Sequence, residues 1–524
     1  MTRRSKLVIA ITVGIFAFSG VWAAWVYTLG QNNVDAYKKS LLAQGEKLEI
    51  SEVLPLPIPP DQNGADIVNQ AGAMFNPEPG DVTNMLPAMR MVAPGKAMVV
   101  FEQPYVLSRD FSNSWESVLA VASNNRPGIE LLRHLLDAQS LDFHLDYEKG
   151  QELQFVHFMP LRRCAQKLSA EAVCDLHNGD PALAATNICV LLALVNGERD
   201  ERLMVSQATR TMLALFATQA TWELLQATNV TDAELAMLQK KWEQQEYVRA
   251  MENAIVMQRA MSEKDIEQMR NSRTDLKKIM GGGPGYLPGW TGRFVEAWDN
   301  SKRTYGELMW RISWTYSDEL QMLRNYQAVL DTVRTIETNG YFNPAYTNMV
   351  NQLQAVVLTN QLSDMADYQW AFSQGSGSVG ETLGRTMTAE AARQIVIAAI
   401  ALKRYQIKYG NYPSNLKSLA PEFVNAVPKD PVDGQPLRYR LQPDGTCLLY
   451  SIGANGTDDG GDPSIALASP NPSGRRFGGG GGGMGFYGFF SWINLRAEDW
   501  VWPQPATPDE IESFYERGGR IFAP

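Results

Sequence analysis

The chain has 524 residues, 45% of them apolar and 20% charged, proportions of ordinary globular protein that argue against bulk disorder. At roughly 100 to 200 residues per domain, such a length calls for two or three hydrophobic cores. The formal charge of -10 repels a phosphate backbone, and no dense Lys/Arg stripe offsets it, so nucleic acid is excluded as the expected partner.

From the amino terminus, Leu7 to Leu29 is uncharged and almost wholly apolar, matching the roughly 20 residues that cross a bilayer as a helix. Arg3, Arg4 and Lys6 precede it. Positive flanks stay in the cytoplasm, so everything after Gln31 is expected outside. Trp22, Trp25 and Tyr27 suit the outer interface. A cleaved signal peptide with Val21 and Ala23 at its site is the rival, but the apolar run continues past that site to Leu29 and favours the uncleaved anchor. The expected location is the inner membrane, crossed once by residues 1–30, with the bulk of the chain in the periplasm.

Residues 31–111 read as a membrane-proximal segment. A short helical pattern, Val34 to Gln44, leads into Leu54-Pro55-Leu56-Pro57-Ile58-Pro59-Pro60. Alternating prolines fix φ and remove amide donors, so this stretch is expected to be extended, a spacer from the membrane.

Residues 112–373 read as helical. Leu131, Leu132, Leu135 and Leu136 form one apolar stripe and Met212, Leu213, Leu215 and Phe216 begin another. The clearest unit is a helical hairpin that turns at Asn178-Gly179-Asp180-Pro181 between alanine- and leucine-rich flanks. Cys174 and Cys189 flank this turn and can face each other. Buried free thiols are favoured over a bridge, and the sparse Cys164, Cys174, Cys189 and Cys447 contain no Cys-x-x-Cys zinc pair. A break is expected near 281–292, around Gly281-Gly282-Gly283-Pro284. Beyond it, Trp290, Trp298, Trp310 and Trp314 read as packed core.

Gln374 to Ser378 opens a Gly/Ser linker, taken to 387, before a small terminal domain at 388–524. Its helix is capped by Thr388, carries a stripe of Ala391, Ile395, Ala399, Leu402 and Tyr405, and stops at Gly410 and Pro413. Leu437 to Leu441 and Thr446 to Ile452 make a hairpin around Pro443-Asp444-Gly445. The fold class is therefore mainly α: a transmembrane helix, a helical extracytoplasmic region and a small α/β end.

That end resembles the head of the type II secretion major pseudopilin. The resemblance rests on Gly410-Asn411-Tyr412-Pro413, Pro428-Lys429-Asp430-Pro431, Asp433-Gly434-Gln435-Pro436 with Tyr439, and Leu449 to Gly456, in that order. It covers roughly Thr388 to Trp502 and implies a helix packed on a short antiparallel sheet, with a calcium site in the loop after the last strand. Carried over, the candidate ligands are Asn455, Asp458, Asp459 and Asp462, joined by Asp499 if the glycine-rich insertion at 464–495 loops out between them. Calcium takes six to eight oxygens in a supple loop, and close aspartates are relieved of mutual repulsion by a cation. The chain departs from the family in lacking the peptidase glycine and the following glutamate beside its apolar segment, and in the distance from that segment to the head. The run Gly478 to Gly483 lacks a following Lys-Ser or Lys-Thr and reads as a loop, not a phosphate cradle.

His134, His144, His157 and His177 are spaced so that no two share a helical face, and they form no His-Glu-x-x-His pair. No Gly-x-Ser-x-Gly elbow, phosphate loop or dinucleotide fingerprint occurs. Two functions follow as expectations. The first is a non-catalytic interaction or scaffold protein with protein partners in the periplasm or inner membrane, including secretion components. The second is an exported hydrolase or ligand-binding protein whose helical region holds a pocket.

Overall fold

The computed structural model describes residues 3–75, 86–107, 112–138, 140–272, 274, 276, 290–360, 365–373, 377–464 and 498–518. Among these the chain is mainly helical with three small sheets.

Helix α1, Arg3–Ala43, is one unbroken element of 41 residues, about 60 Å long and so about twice the depth of a bilayer's hydrocarbon core. The apolar run and the helical pattern after it merge into one helix, which continues through Gly30-Gln31-Asn32-Asn33 although glycine and asparagine are poor helix formers. The side chains of residues 3–20 lie outside the described residues. Val21, Trp22, Trp25 and Leu29 are exposed, whereas Val34 and Leu41 are buried. Gly30 permits the entry into the body, because a Cβ there would come 3.0 Å from the Tyr316 Cβ.

The chain after α1 is pinned by charge. Glu46 accepts from Arg259 at 2.8 Å, from Gln327 at 3.0 Å and from Arg334. Burial opposes its ionisation, yet hydrogen bonds from Arg334, Arg259 and Gln327 hold the carboxyl down at about 2. Lys38 pairs with both Glu263 and Glu319. Because α1 enters the core directly, the proline segment is no spacer. Residues 54–59 are irregular and mostly exposed as expected, but they run along the body, held at Val53 by a 2.9 Å bond from Arg202.

A first layer follows: α2 (Ala65–Met74), hairpin β1 (Arg90–Ala93) and β2 (Lys96–Met98), hairpin β3 (Val106–Leu107) and β4 (Ser112–Asn113), and α3 (Trp115–Arg133). Helices α4 (Phe158–His177) and α5 (Pro181–Gly197) form the expected hairpin. Gly179 turns at φ 79°, and Asp180 caps α5 by accepting from the Leu183 amide at 3.0 Å. Cys174 and Cys189 are buried and free. Among the residues searched, Pro181–Asp200 is the one helical stretch long and apolar enough to cross a membrane; it is mostly buried and serves as a core helix.

Helices α6 (Met204–Gln226), α7 (Asp232–Glu243) and α8 (Val248–Asn271) complete the centre. The expected loop at 281–286 lies outside the described residues. Helix α9 (Trp290–Met309) passes through a π-helical turn at Trp310–Trp314 into α10 (Thr315–Asn339), followed by α11 (Ala345–Asn360) and the single turn α12 (Ala366–Gln369). The expectation of a tryptophan core holds for Trp310, which is buried, but not for Trp298, which is exposed.

The linker expectation is corrected. Residues 374–376 lie outside the described set, but from Gly377 the chain is already helical, and α13 runs Gly377–Tyr409 without a break at Thr388. Packing overrides the local Gly/Ser signal: Val379, Leu383 and Met387 are buried in the same core as Ile395 and Leu402. Helix α13 lies against α6 and α7 as well as the terminal sheet, and Arg404 bonds Asp232 at 2.7 Å and Gln239 at 3.1 Å. That sheet is antiparallel, β5 (Arg438–Leu441), β6 (Cys447–Ile452) and β7 (Asp499–Val501). Strand β8 (Gln504–Pro505) pairs parallel with β2, and α14 (Pro508–Glu516) buries Phe514 against Val92 and Met98. One hydrophobic cluster thus runs from Val34 to Trp502, so the terminal segment is built into the body.

Candidate functional site

The residues of the pseudopilin resemblance meet at one end of the β5–β7 sheet. Asp430 is fully buried and accepts from the amides of Val432 and Ile452, both at 2.9 Å, and from the Ser451 hydroxyl at 2.7 Å. Arg438 reaches it at 3.2 Å and clamps Asp433 at 2.6 Å. Burial pushes the Asp430 carboxyl up to about 6. The Tyr439 hydroxyl donates to the Pro413 carbonyl at 2.7 Å. These motif residues join the segment after α13, the turn before β5 and the end of β6.

The acidic loop follows β6. Asn455 donates to Asp459 at 2.9 Å and to Glu498 at 2.8 Å. The insertion at 464–495 lies almost wholly outside the described residues, but its ends are adjacent: the Glu498 amide donates to the Ser464 carbonyl and the Asp499 amide to the Asp462 carbonyl, both at 2.9 Å. Asp499 is therefore brought onto the loop, where its Oδ2 accepts from the amides of Gly461 at 2.8 Å and Asp462 at 3.3 Å. Its Oδ1 is buried without a partner. Burial, the first of several influences, pushes the Asp499 carboxyl above its ordinary value.

Two features differ from the expected ligand set. Asp458 is committed to the sheet, accepting from the Tyr450 hydroxyl at 2.9 Å and from Arg438 at 3.4 Å. Slight burial works against its ionisation, yet bonds from Tyr450, Gly460 and Arg438 hold it below the ordinary value. Asp458 is thus drawn away from ligation by the arginine that also serves Asp430. Glu498 takes a place beside Asn455 that spacing did not reveal, because the insertion hides the adjacency. No three of the loop's carboxylates bring one oxygen each within 4.8 Å of the others, so the side chains alone do not form a cation site here.

The histidines do not converge. His134 begins a short 3-10 turn after α3. His144 is exposed, with Nδ1 3.2 Å from Asp142. His177 stacks on Trp115 with its Nδ1 2.9 Å from the Phe101 carbonyl. His157 is buried beside Glu201. A hydrolase pocket built on the histidine group is therefore not what the geometry offers. No family model, curated protein or solved structure matches this chain.

Proposed function

We propose that the protein is a membrane-anchored extracytoplasmic scaffold, whose helical body carries a calcium-dependent, pseudopilin-like sheet toward protein partners beside a secretion or pilus-like assembly. The observation that carries this reading is the course of α1. Its early part exposes Val21, Trp22, Trp25 and Leu29, and its later part buries Val34 and Leu41 and is fastened through Lys38. Large apolar side chains standing free on a helix that is packed one turn later call for an apolar medium. A rigid passage from bilayer to core fixes the orientation of the body, which suits a scaffold more than a tethered enzyme.

The resemblance of the terminal sheet to a pseudopilin head supplies the suggested partner class, and Asp459, Asp462 and Asp499 are the carboxylates that would hold the cation. The test is protease treatment of spheroplasts, followed by co-purification from solubilised membranes. The soluble part is expected to be digested and the residual fragment to stay in the membrane. Full protection, or a mature amino terminus near Ala24, would reject the anchor; recovery without secretion or pilus components would reject the partner class.

A further inference from the structure

We infer that His157, Glu198 and Glu201 hold one divalent transition cation, zinc by the chemistry of its donors, in a closed structural site between α4, α5 and α6. One donor atom from each residue lies within 4.8 Å of the others, and all three residues are buried. His157 is the N-cap residue of α4, Glu198 directly follows α5, and Glu201 stands just before α6. The cluster therefore joins three helix ends, beside the bonds that the Gln207 side chain makes to the Glu198 and Glu201 carbonyls.

The electrostatics point to a missing positive charge. Glu198 has no exposed surface, and neither of its carboxyl oxygens has a hydrogen-bond partner. Burying an unpaired carboxylate is strongly unfavourable. Glu201 is better served, since its Oε1 accepts from the Ser206 hydroxyl and lies 3.1 Å from His157 Nε2. The other ring nitrogen of His157 is buried without a partner. The buried Arg210 offsets part of the Glu198 charge without a hydrogen bond to it, and the two carboxylates together still exceed that single positive charge.

The donor types select the ion. Calcium wants six to eight oxygens, whereas this cluster offers an imidazole nitrogen and one oxygen from each of two glutamates, three donors of the kinds zinc accepts. Two donors on one zinc, each roughly 2.0 to 2.2 Å from it at a tetrahedral angle, stand about 3.4 Å apart, close to the 3.1 Å between His157 and Glu201. The ring is already oriented by Phe143, stacked at 4.4 Å, and by the edge contact with Phe158 at 4.5 Å. Because all three residues are buried, a fourth zinc position would hold a trapped water and not a substrate, so its role is structural and its metal enters as the chain folds.

The rival is a proton shared between Glu198 and Glu201, and Glu198→Gln separates the two, because glutamine imitates a neutral acid but binds zinc poorly. Full-length protein purified in detergent is analysed for metal by mass spectrometry, then melted after chelation and after addition of Zn²⁺. The expected result is about one zinc per chain, a midpoint raised by Zn²⁺, and at least tenfold weaker zinc binding in both Glu198→Gln and His157→Gln. A wild-type chain that carries no zinc and melts unchanged with Zn²⁺ overturns the inference. So does a zinc response that survives in either variant. Should one variant fail to fold, the wild-type measurement and the other variant still decide.

Discussion

The acidic loop after β6 and the pocket between α4, α5 and α6 both gather carboxylates, yet they solve different problems. In the loop, Asp458, Asp459 and Asp462 are largely exposed; water and nearby donors answer them, and a cation would add order without being needed for charge. In the pocket, Glu198 is sealed from water and has no donor. Asp430 is a third case, as deeply buried as Glu198 but answered by two amides, a hydroxyl and Arg438. What separates the three is not residue type but how many donors the fold aims at the oxygens.

The largest effect that would test this comparison is at Asp430. Asp430→Ala leaves the Val432 and Ile452 amides and the Ser451 hydroxyl unanswered in the interior, and is expected to cost about 3 kcal/mol in a denaturant melt. A loss below about 1 kcal/mol would show that the sheet does not depend on it.

The pH response sharpens the contrast between buried and exposed groups. Burial raises Glu223 to about 8, Asp175 to about 7, and Asp318 and Asp430 to about 6. Their ordinary values are 4.5 for Glu and 3.8 for Asp, so between those values and the raised ones the folded chain binds more protons than the unfolded chain. Stability from these groups therefore falls as pH rises from about 4 to 8. Glu46, held down at about 2, acts oppositely: its contribution is present above its ordinary value of 4.5 and lost as pH falls toward 2. The thermal midpoint is expected to be higher at pH 5 than at pH 8. The reverse order would mean that counter-charges, not desolvation, govern the buried carboxylates.

Calcium should act more gently, since the loop is exposed. At a hundredfold excess over its dissociation constant the ion would add about 2.7 kcal/mol, read as a higher melting midpoint that chelator reverses. Asp459→Ala is expected to abolish the rise, and an unchanged wild-type midpoint would reject the site. The smallest effect is at Asn455, whose amide donates to Asp459 and Glu498. Asn455→Asp replaces those bonds with repulsion. The midpoint in chelator should drop by no more than a few degrees while the calcium-induced rise widens. Equal shifts in both conditions would place residue 455 outside the cation's reach.

How much was legible in the sequence depended on range. The apolar run from Leu7 to Leu29, the Asn178 to Pro181 turn, the helix stripe of Ile395 and Leu402 and the hairpin at Asp444 are local patterns, and periodicity, capping and turn chemistry suffice for them. The linker misread at 377–387 shows where that ends: a Gly/Ser-rich stretch reads as flexible until its Val379, Leu383 and Met387 meet a core supplied by other helices.

The sequence by itself determined a mainly helical chain and the order of motifs in its final quarter. Only the tertiary structure decided that α1 passes into the core without a spacer, and that β8 returns to β2. It also brought Glu498 and Asp499 onto the loop across an insertion, and set Glu198 and Glu201 against His157. The physical reason is common to all of these. Each depends on groups far apart in the chain, and a side chain's burial, charge and partners are properties of its surroundings, which no local spacing records.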